Sequence, residues 1–350
     1  MKGMTVLAGC LWLGLACSAA PAADDAPPRL GFRAKTLEEA KAWRQTARSA
    51  LRTLLLGEKT PDKLPLDPEV LCRREDLGAY VYELVEITSR RGRRILVHVG
   101  IPRDVPGKRP VLVALHGHGT GQWGGAGVFG RGGMYSFGRE MVEHGYLVVA
   151  PDLTPTGGKP VLYHGQKEDW PPTHEDHVLD DPGWKGWTLA GQRTWDAMRV
   201  LDYALTRADA DGGRVACMGH SMGGETATVF SALDDRVKVA VISGSLCRFE
   251  QLEKSPGCRR NNCNLGYLPG MRETFEPSDV AGLIAPRPVM IQSGSKDPCT
   301  VDTASAAYAE LAVVYNALAV ADRLTHHTFD GGHTSVPAPA REWIERFLKP

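Results

Sequence analysis

From Pro110 onward the chain alternates short apolar runs with helix-length segments, and that alternation limits its fold more than any other feature. Val111–Leu115, Tyr146–Ala150, Val215–Met218, Val237–Ser243 and Pro288–Ser293 are short, largely apolar and bounded by turn residues. Such runs read as strands covered on both faces. Thr325–Asp330 reads as a last strand. Between them, Ser136–His144 (stopped by Gly145), Trp187–Leu205 and Ala304–Leu318 have helical spacing, and Arg341–Leu348 forms a closing helix. Strands separated by helices pair in parallel, with helices on both faces of the sheet. Upstream, Val81–Ile87 and Arg94–Ile101 alternate apolar with polar across Arg91-Gly92, which predicts a hairpin with His98 facing outward. The expected main domain is α/β over residues 78–350, with about eight strands. Sites in such sheets lie at the carboxyl ends of the strands.

The ends of the chain carry other signals. Residues 1–22 have the form of an export signal, with Lys2, an apolar Val6–Ala16 and small residues Ser18–Ala22. The apolar part is too short to span a membrane. A lipid anchor at Cys17 is the lesser alternative, so a periplasmic or extracellular location is expected. Residues 23–77 read as a linker and an N-terminal helical extension. There Thr36-Leu37-Glu38-Glu39 has the capping-box form, and Leu37, Ala40, Trp43, Ala47, Leu51, Leu54 and Leu55 share one face up to Gly57. Of eight cysteines, Cys10 and Cys17 lie in the leader. In an oxidising compartment a disulfide within Cys247, Cys258 and Cys263 is expected, with the pairing open. Lys+Arg and Asp+Glu both total 41, so a nucleic-acid partner is not expected.

The strand at Val215 runs into Gly219-His220-Ser221-Met222-Gly223, and a helix follows. A G-x-S-x-G at a strand-to-helix turn lifts a serine hydroxyl clear of the sheet and turns the next backbone N–H toward a developing oxyanion. The competing reading makes Ser221 an ordinary helix cap. A serine nucleophile needs a base, and the base needs a carboxylate to fix its tautomer. The order Ser, Asp, His is completed by Asp297, after the Pro288–Ser293 strand, and by His333, after the last strand. Asp302 is the reserve acid, and His326 and His327 lie at the wrong end of their strand. His116-Gly117-His118-Gly119 follows the Val111 strand, so the oxyanion donors expected are the amides of Met222 and His118, with Gly119 as second choice. His116 itself reads as structural. Gly119–Gly124 also matches a dinucleotide-binding G-x-G-x-x-G with Asp152 as its acid, but no helix opens on it. The long insertion 153–186 should overhang the pocket, and Trp123, Trp184 and Trp187 are the candidate substrate-binding residues. His174 and His177 are weak grounds for a metal, and neither metal nor cofactor is expected.

Together His116-Gly117-His118-Gly119, Gly219–Gly223, Gly294-Ser295-Lys296-Asp297 and Gly331-Gly332-His333 resemble the α/β-hydrolase superfamily. Trp195–Met198, the loop after Asp152 and the Cys263-Asn264 to Pro269-Gly270 stretch look like bacterial acetyl-xylan-esterase-like hydrolases, which are related to dienelactone hydrolases. Two departures stand out. Dienelactone hydrolases proper have cysteine at the position of Ser221, and glucuronoyl esterases have arginine at that of Met222. The resemblance implies a carboxylic ester hydrolase, with acetylated carbohydrates among its candidate substrates. Alternatives are a peptidase or lactonase with the same residues, or a non-catalytic carbohydrate-binding protein on that scaffold.

Overall fold

Alternate residues of the central strands feed two different apolar layers. Val111, Val113 and Leu115 pack on one face of the sheet, and Leu112 and Ala114 on the other. The computed structural model describes residues 29–58, 61–117, 128–130, 136–153, 188–254, 265–300 and 302–348. Its nine strands are β1 (Glu69–Arg74), β2 (Tyr80–Arg90), β3 (Arg93–Pro102), β4 (Arg109–Leu115), β5 (Leu147–Pro151), β6 (Ala210–His220), β7 (Val239–Ser243), β8 (Val289–Gly294) and β9 (Leu324–Phe329). They form one sheet in the order β1-β2-β3-β5-β4-β6-β7-β8-β9. The first three join antiparallel, and every pairing from β5–β4 to β8–β9 is parallel. This is the doubly covered α/β architecture of an α/β-hydrolase.

The helices that fix the site are α1 (Leu37–Leu56), α2 (Phe137–Glu143), α3 (Leu189–Thr206), α4 (Met222–Leu233), α5 (Ala304–Ala317) and α6 (Pro337–Phe347). Residues of α3 and α4 lie over Val111, Val113 and Cys217, while Met141 of α2 and Trp343 of α6 join Leu112 and Met218 on the opposite face. Cys217 is a core residue, fully buried, and burial raises its thiol pKa. The α1 helix starts at the expected box: Thr36 Oγ1 accepts from Glu39 N at 3.2 Å, and Glu39 Oε2 accepts from Thr36 N at 3.3 Å. Its Ala47, Leu51 and Leu55 are wholly buried in the same cluster as Phe275 and Leu311. Removing a leucine side chain from water stabilises by about 1.5–3 kcal/mol, so this face holds α1 against the main core.

Two expectations change. A ninth strand, β1, pairs along the outer edge of β2. All its residues are exposed, and its apolar residues, Val70-Leu71-Cys72, run consecutively, so it lacks the alternation that marks a half-buried strand. His98 does not face outward; it is 2% exposed, and Tyr82 Oη and Asp152 Oδ1 lie 2.6 Å and 3.1 Å from its ring nitrogens. The physical reason is that β3 is covered on its second face too, with Phe129 against Tyr82 at 5.8 Å between ring centroids. Among the described residues no disulfide joins Cys72, Cys217, Cys247 and Cys299 to one another; the expected pairing within Cys247, Cys258 and Cys263 involves Cys258 and Cys263, which lie outside the described residues. Among the described residues, no helix is long and apolar enough to cross a membrane.

Candidate active site

The β6 strand delivers its last residue, His220, to the carboxyl edge of the sheet, and α4 begins two residues later at Met222. Ser221 fills the gap with φ 58° and ψ −124°. A side-chain-bearing residue there carries strain of about 1–3 kcal/mol. The flanking glycines permit it. A Cβ on Gly219 would stand 2.0 Å from Gly223 O, and a Cβ on Gly223 would stand 2.0 Å from Leu115 O. Both obstacles are backbone, so neither can swing aside. Ser221 makes no side-chain cap bond to α4, which removes the helix-cap reading. Its backbone N–H donates to Ser243 O at 2.9 Å, fastening the turn to the end of β7. Met222 N is at the first position of α4, where helix geometry leaves the amide outside the intrahelical ladder.

Two further loops arrive from β8 and β9. They are stitched together by Ser295 N to Phe329 O at 2.9 Å and Lys296 N to Gly331 O at 2.9 Å. The stitching brings Asp297 to His333: Nδ1 of the imidazole lies 2.9 Å from Oδ2 and 3.0 Å from Oδ1. The Asp297 side chain is wholly buried, and the His333 side chain is 24% exposed. Cys299 N donates to Asp297 Oδ1 at 2.8 Å, which locks the carboxylate. Asp302, the reserve acid, is exposed, and the acid on His333 is Asp297. The His333 ring also packs on His220, with centroids 4.6 Å apart, so the imidazole stands beside the residue that precedes Ser221. A buried carboxylate holding one ring nitrogen leaves the other available for proton transfer, which is the chemistry a serine nucleophile requires.

Under this assembly His220 is wholly buried, with Nδ1 3.0 Å from Ser243 Oγ. Burial, reinforced by the neighbouring His333 and partly offset by Asp297, pulls its pKa down to about 3. The unfolded chain protonates such an imidazole near about 6.5. Between these values the unfolded state binds the extra proton, so this contribution to stability is complete above about pH 6.5 and is lost as the pH falls toward 3. The midpoint of thermal unfolding should therefore drop between pH 7 and pH 4, and less steeply in His220→Gln. An equal slope in the variant would acquit His220.

The loop after β4 is described as far as Gly117, so the expected oxyanion donors His118 and Gly119 lie outside the described residues. So do Trp123, Trp184, Trp187, the insertion from residue 154 and the histidines at 174 and 177. His116 is buried at the end of β4. Leu153 N donates to its Nε2 at 2.9 Å, so the neutral ring carries its proton on Nδ1, which donates to Gly117 O at 3.0 Å. Asp152 Oδ1 lies 3.1 Å from His98 Nε2, and the glycines of the dinucleotide motif, 119–124, lie outside the described residues. Sequence reasoning overlooked Cys299, whose sulfur lies with ligand atoms of Asp297 and His333 inside a 4.8 Å set able to hold a cation. Its place two residues after Asp297 was the available signal. The Ser243 shelf had none, because it depends on which strand neighbours β6.

A serine on a strained strand-to-helix turn, at the carboxyl edge of a mostly parallel nine-stranded sheet, defines the α/β-hydrolase class. The sequence model of the Abhydrolase family matches residues 21–323, and the chain belongs to that family. It is similar to the "Putative hydrolase YtaP" of Bacillus subtilis, 28% identical over 300 residues that cover 84% of this chain and 95% of the relative. Among solved structures, a glucuronoyl esterase from Solibacter usitatus superposes with a TM-score of 0.69 at 15% identity, covering 92% of this chain and 96% of the other. Acetyl xylan esterase 1 from Thermoanaerobacterium sp. gives 0.58 at 18% identity, covering 91% and 100%. These two likenesses are of fold.

Proposed function

We propose that the chain is an exported serine esterase acting on carboxylic esters, with esters of carbohydrates as its substrate class. The observation that carries this reading is the Asp297–His333 pair, 2.9 Å apart, whose imidazole packs beside the strained turn at Ser221. Ser221 Oγ attacks the ester carbonyl carbon while His333 Nε2 takes its proton. The carbonyl oxygen becomes an oxyanion held by the amides of Met222 and His118, with Gly119 the second choice for the latter. Collapse expels the alcohol, which recovers the proton from His333 and leaves an acyl-serine. Water then repeats the sequence and releases the acid. Asp297 keeps the proton of His333 on Nδ1 throughout and stabilises the imidazolium.

The carbohydrate part of the reading draws on the names of the fold's neighbours, a glucuronoyl esterase and an acetyl xylan esterase. We assign sugar-ring contacts to Trp123, Trp184 and Trp187, the insertion 153–186 to the pocket roof and residues 1–22 to an export signal. A fluorophosphonate probe tests the core of the proposal: a single adduct on Ser221 is expected, and a protein that stays unlabelled under conditions that label a control esterase would sink it. Acetylated xylan, short acyl esters, lactones and peptides then rank the substrate classes.

A further inference from the structure

Arg193 lies in the second turn of α3, on the face that α3 turns toward the sheet. Positions 193, 197, 200, 201 and 204 share that face by helical spacing. Ala197, Val200, Leu201 and Ala204 are buried in the apolar cluster that also contains Leu115, Leu153 and Met222. Because α3 follows β5 and leads back to the start of the parallel β6, its first turns overhang the carboxyl ends of the strands. Arg193 is the one charged member of the stripe, and it stands at the end where the site is.

Its surroundings are unusual for a guanidinium. Arg193 is 3% exposed, and its Nε is buried with no hydrogen-bond partner. The other arginines near it are paired: Arg93 with Asp196 at 2.6 Å and Arg199 with Asp202 at 2.8 Å. Asp152 is engaged by His98, and among the described residues no carboxylate lies within ion-pair distance of Arg193. The charge reaches the site's edge: burial lowers the pKa of His116 against the opposing pull of Asp152 and the Gly117 carbonyl, and His98 and, least, Arg193 add to the lowering. A cation taken out of water without a partner opposes folding. Its presence here makes sense if a ligand brings the counter-charge.

We propose that Arg193 anchors a carboxylate carried by the ester substrate, so that the preferred substrates are anionic esters. This rests on the serine-esterase reading and narrows it. The planar guanidinium fork matches a carboxylate with two parallel N–H···O bonds. One arginine balances one negative charge, whereas a phosphate dianion would keep an uncompensated one.

The test compares charged and neutral esters as a ratio within each protein. On the acyl side the pair is 4-nitrophenyl hemisuccinate and 4-nitrophenyl butyrate; on the alcohol side it is the acetyl esters of a uronic acid and of the matching neutral sugar. In the wild type one charged member should exceed its neutral partner in kcat/KM by about tenfold or more, since a charge-assisted hydrogen bond is worth roughly that factor. The ratio should collapse toward one in Arg193→Gln, mainly through KM, and recover in part in Arg193→Lys. Ratios near one for both pairs in the wild type, or an unchanged ratio in Arg193→Gln, overturn the proposal. Should Arg193→Gln fail to fold, the wild type still decides: the preference must shrink at high salt, and succinate must inhibit competitively where succinamide does not. If no ester is cleaved and no fluorophosphonate adduct forms, the esterase reading has failed. Calorimetric titration with succinate and with the uronic acid then tests Arg193 alone, and no heat of binding for either overturns its role.

Discussion

Ser221→Ala should lower kcat for an aryl acetate by roughly 10⁵–10⁶, the loss seen when the nucleophile of a serine hydrolase is removed. The same change should abolish the fluorophosphonate adduct and leave the fold nearly unaltered. Both halves of that expectation come from local geometry. The hydroxyl makes no cap bond with α4, so its removal leaves no helix amide without an established partner. Alanine at φ 58° bears the same left-handed strain as serine, and the glycines at 219 and 223 still accept the turn. Stability should therefore move by no more than about 1 kcal/mol, the ordinary range for a substitution that removes no packed group. A variant that keeps the wild-type rate would move the nucleophile elsewhere. A variant that loses activity together with its cooperative melt would give Ser221 a structural role, which is why the melt is measured beside the rate.

What can be read from the sequence of this chain depends on whether a residue's surroundings are local. The central strands are legible because each is covered on both faces, so apolar residues dominate without alternation and the run stands out. Ser221 was legible because the close approaches that require glycine at 219 and 223 occur within one turn and the neighbouring β4 backbone. Edge strand β1 was not, since an exposed strand needs no pattern to bury. His98 misled because alternation predicts two unlike faces, whereas Phe129 and the Tyr82 ring cover the second face of the hairpin. Arg193 passed unnoticed for a related reason. A charged residue near a helix start reads as solvated, and only the return path of α3 over the sheet makes its position buried. The Cys299 amide that fixes Asp297 is local, and its place two residues on is the one signal for it, but which oxygen it holds depends on the carboxylate's orientation.

That amide sets up the second large effect. Asp297→Asn should cut kcat by about 10⁴ while leaving substrate binding and the melting midpoint little changed. The isosteric amide has one acceptor and one donor end in place of two acceptors. Cys299 N, 2.8 Å from Oδ1, can only donate, so the asparagine must keep its oxygen there. Its NH₂ group then occupies the Oδ2 position, 2.9 Å from Nδ1 of His333. Two donors cannot share that contact; the retained oxygen, 3.0 Å from Nδ1, is the competing acceptor but already holds Cys299 N, and the expected outcome is that Nδ1 accepts from the NH₂ group and the proton of the neutral ring moves to Nε2. A ring protonated at Nε2 cannot take the proton of Ser221, and the remaining rate is what the oxyanion donors and binding supply. Glutamine at 297 is a poorer test, because its longer chain cannot keep both contacts. The tautomer itself can be read from the ¹⁵N shifts of His333. If Asp297→Asn retains the proton on Nδ1, or turns over within tenfold of the wild type, then the carboxylate's role is electrostatic or structural and the tautomer argument fails.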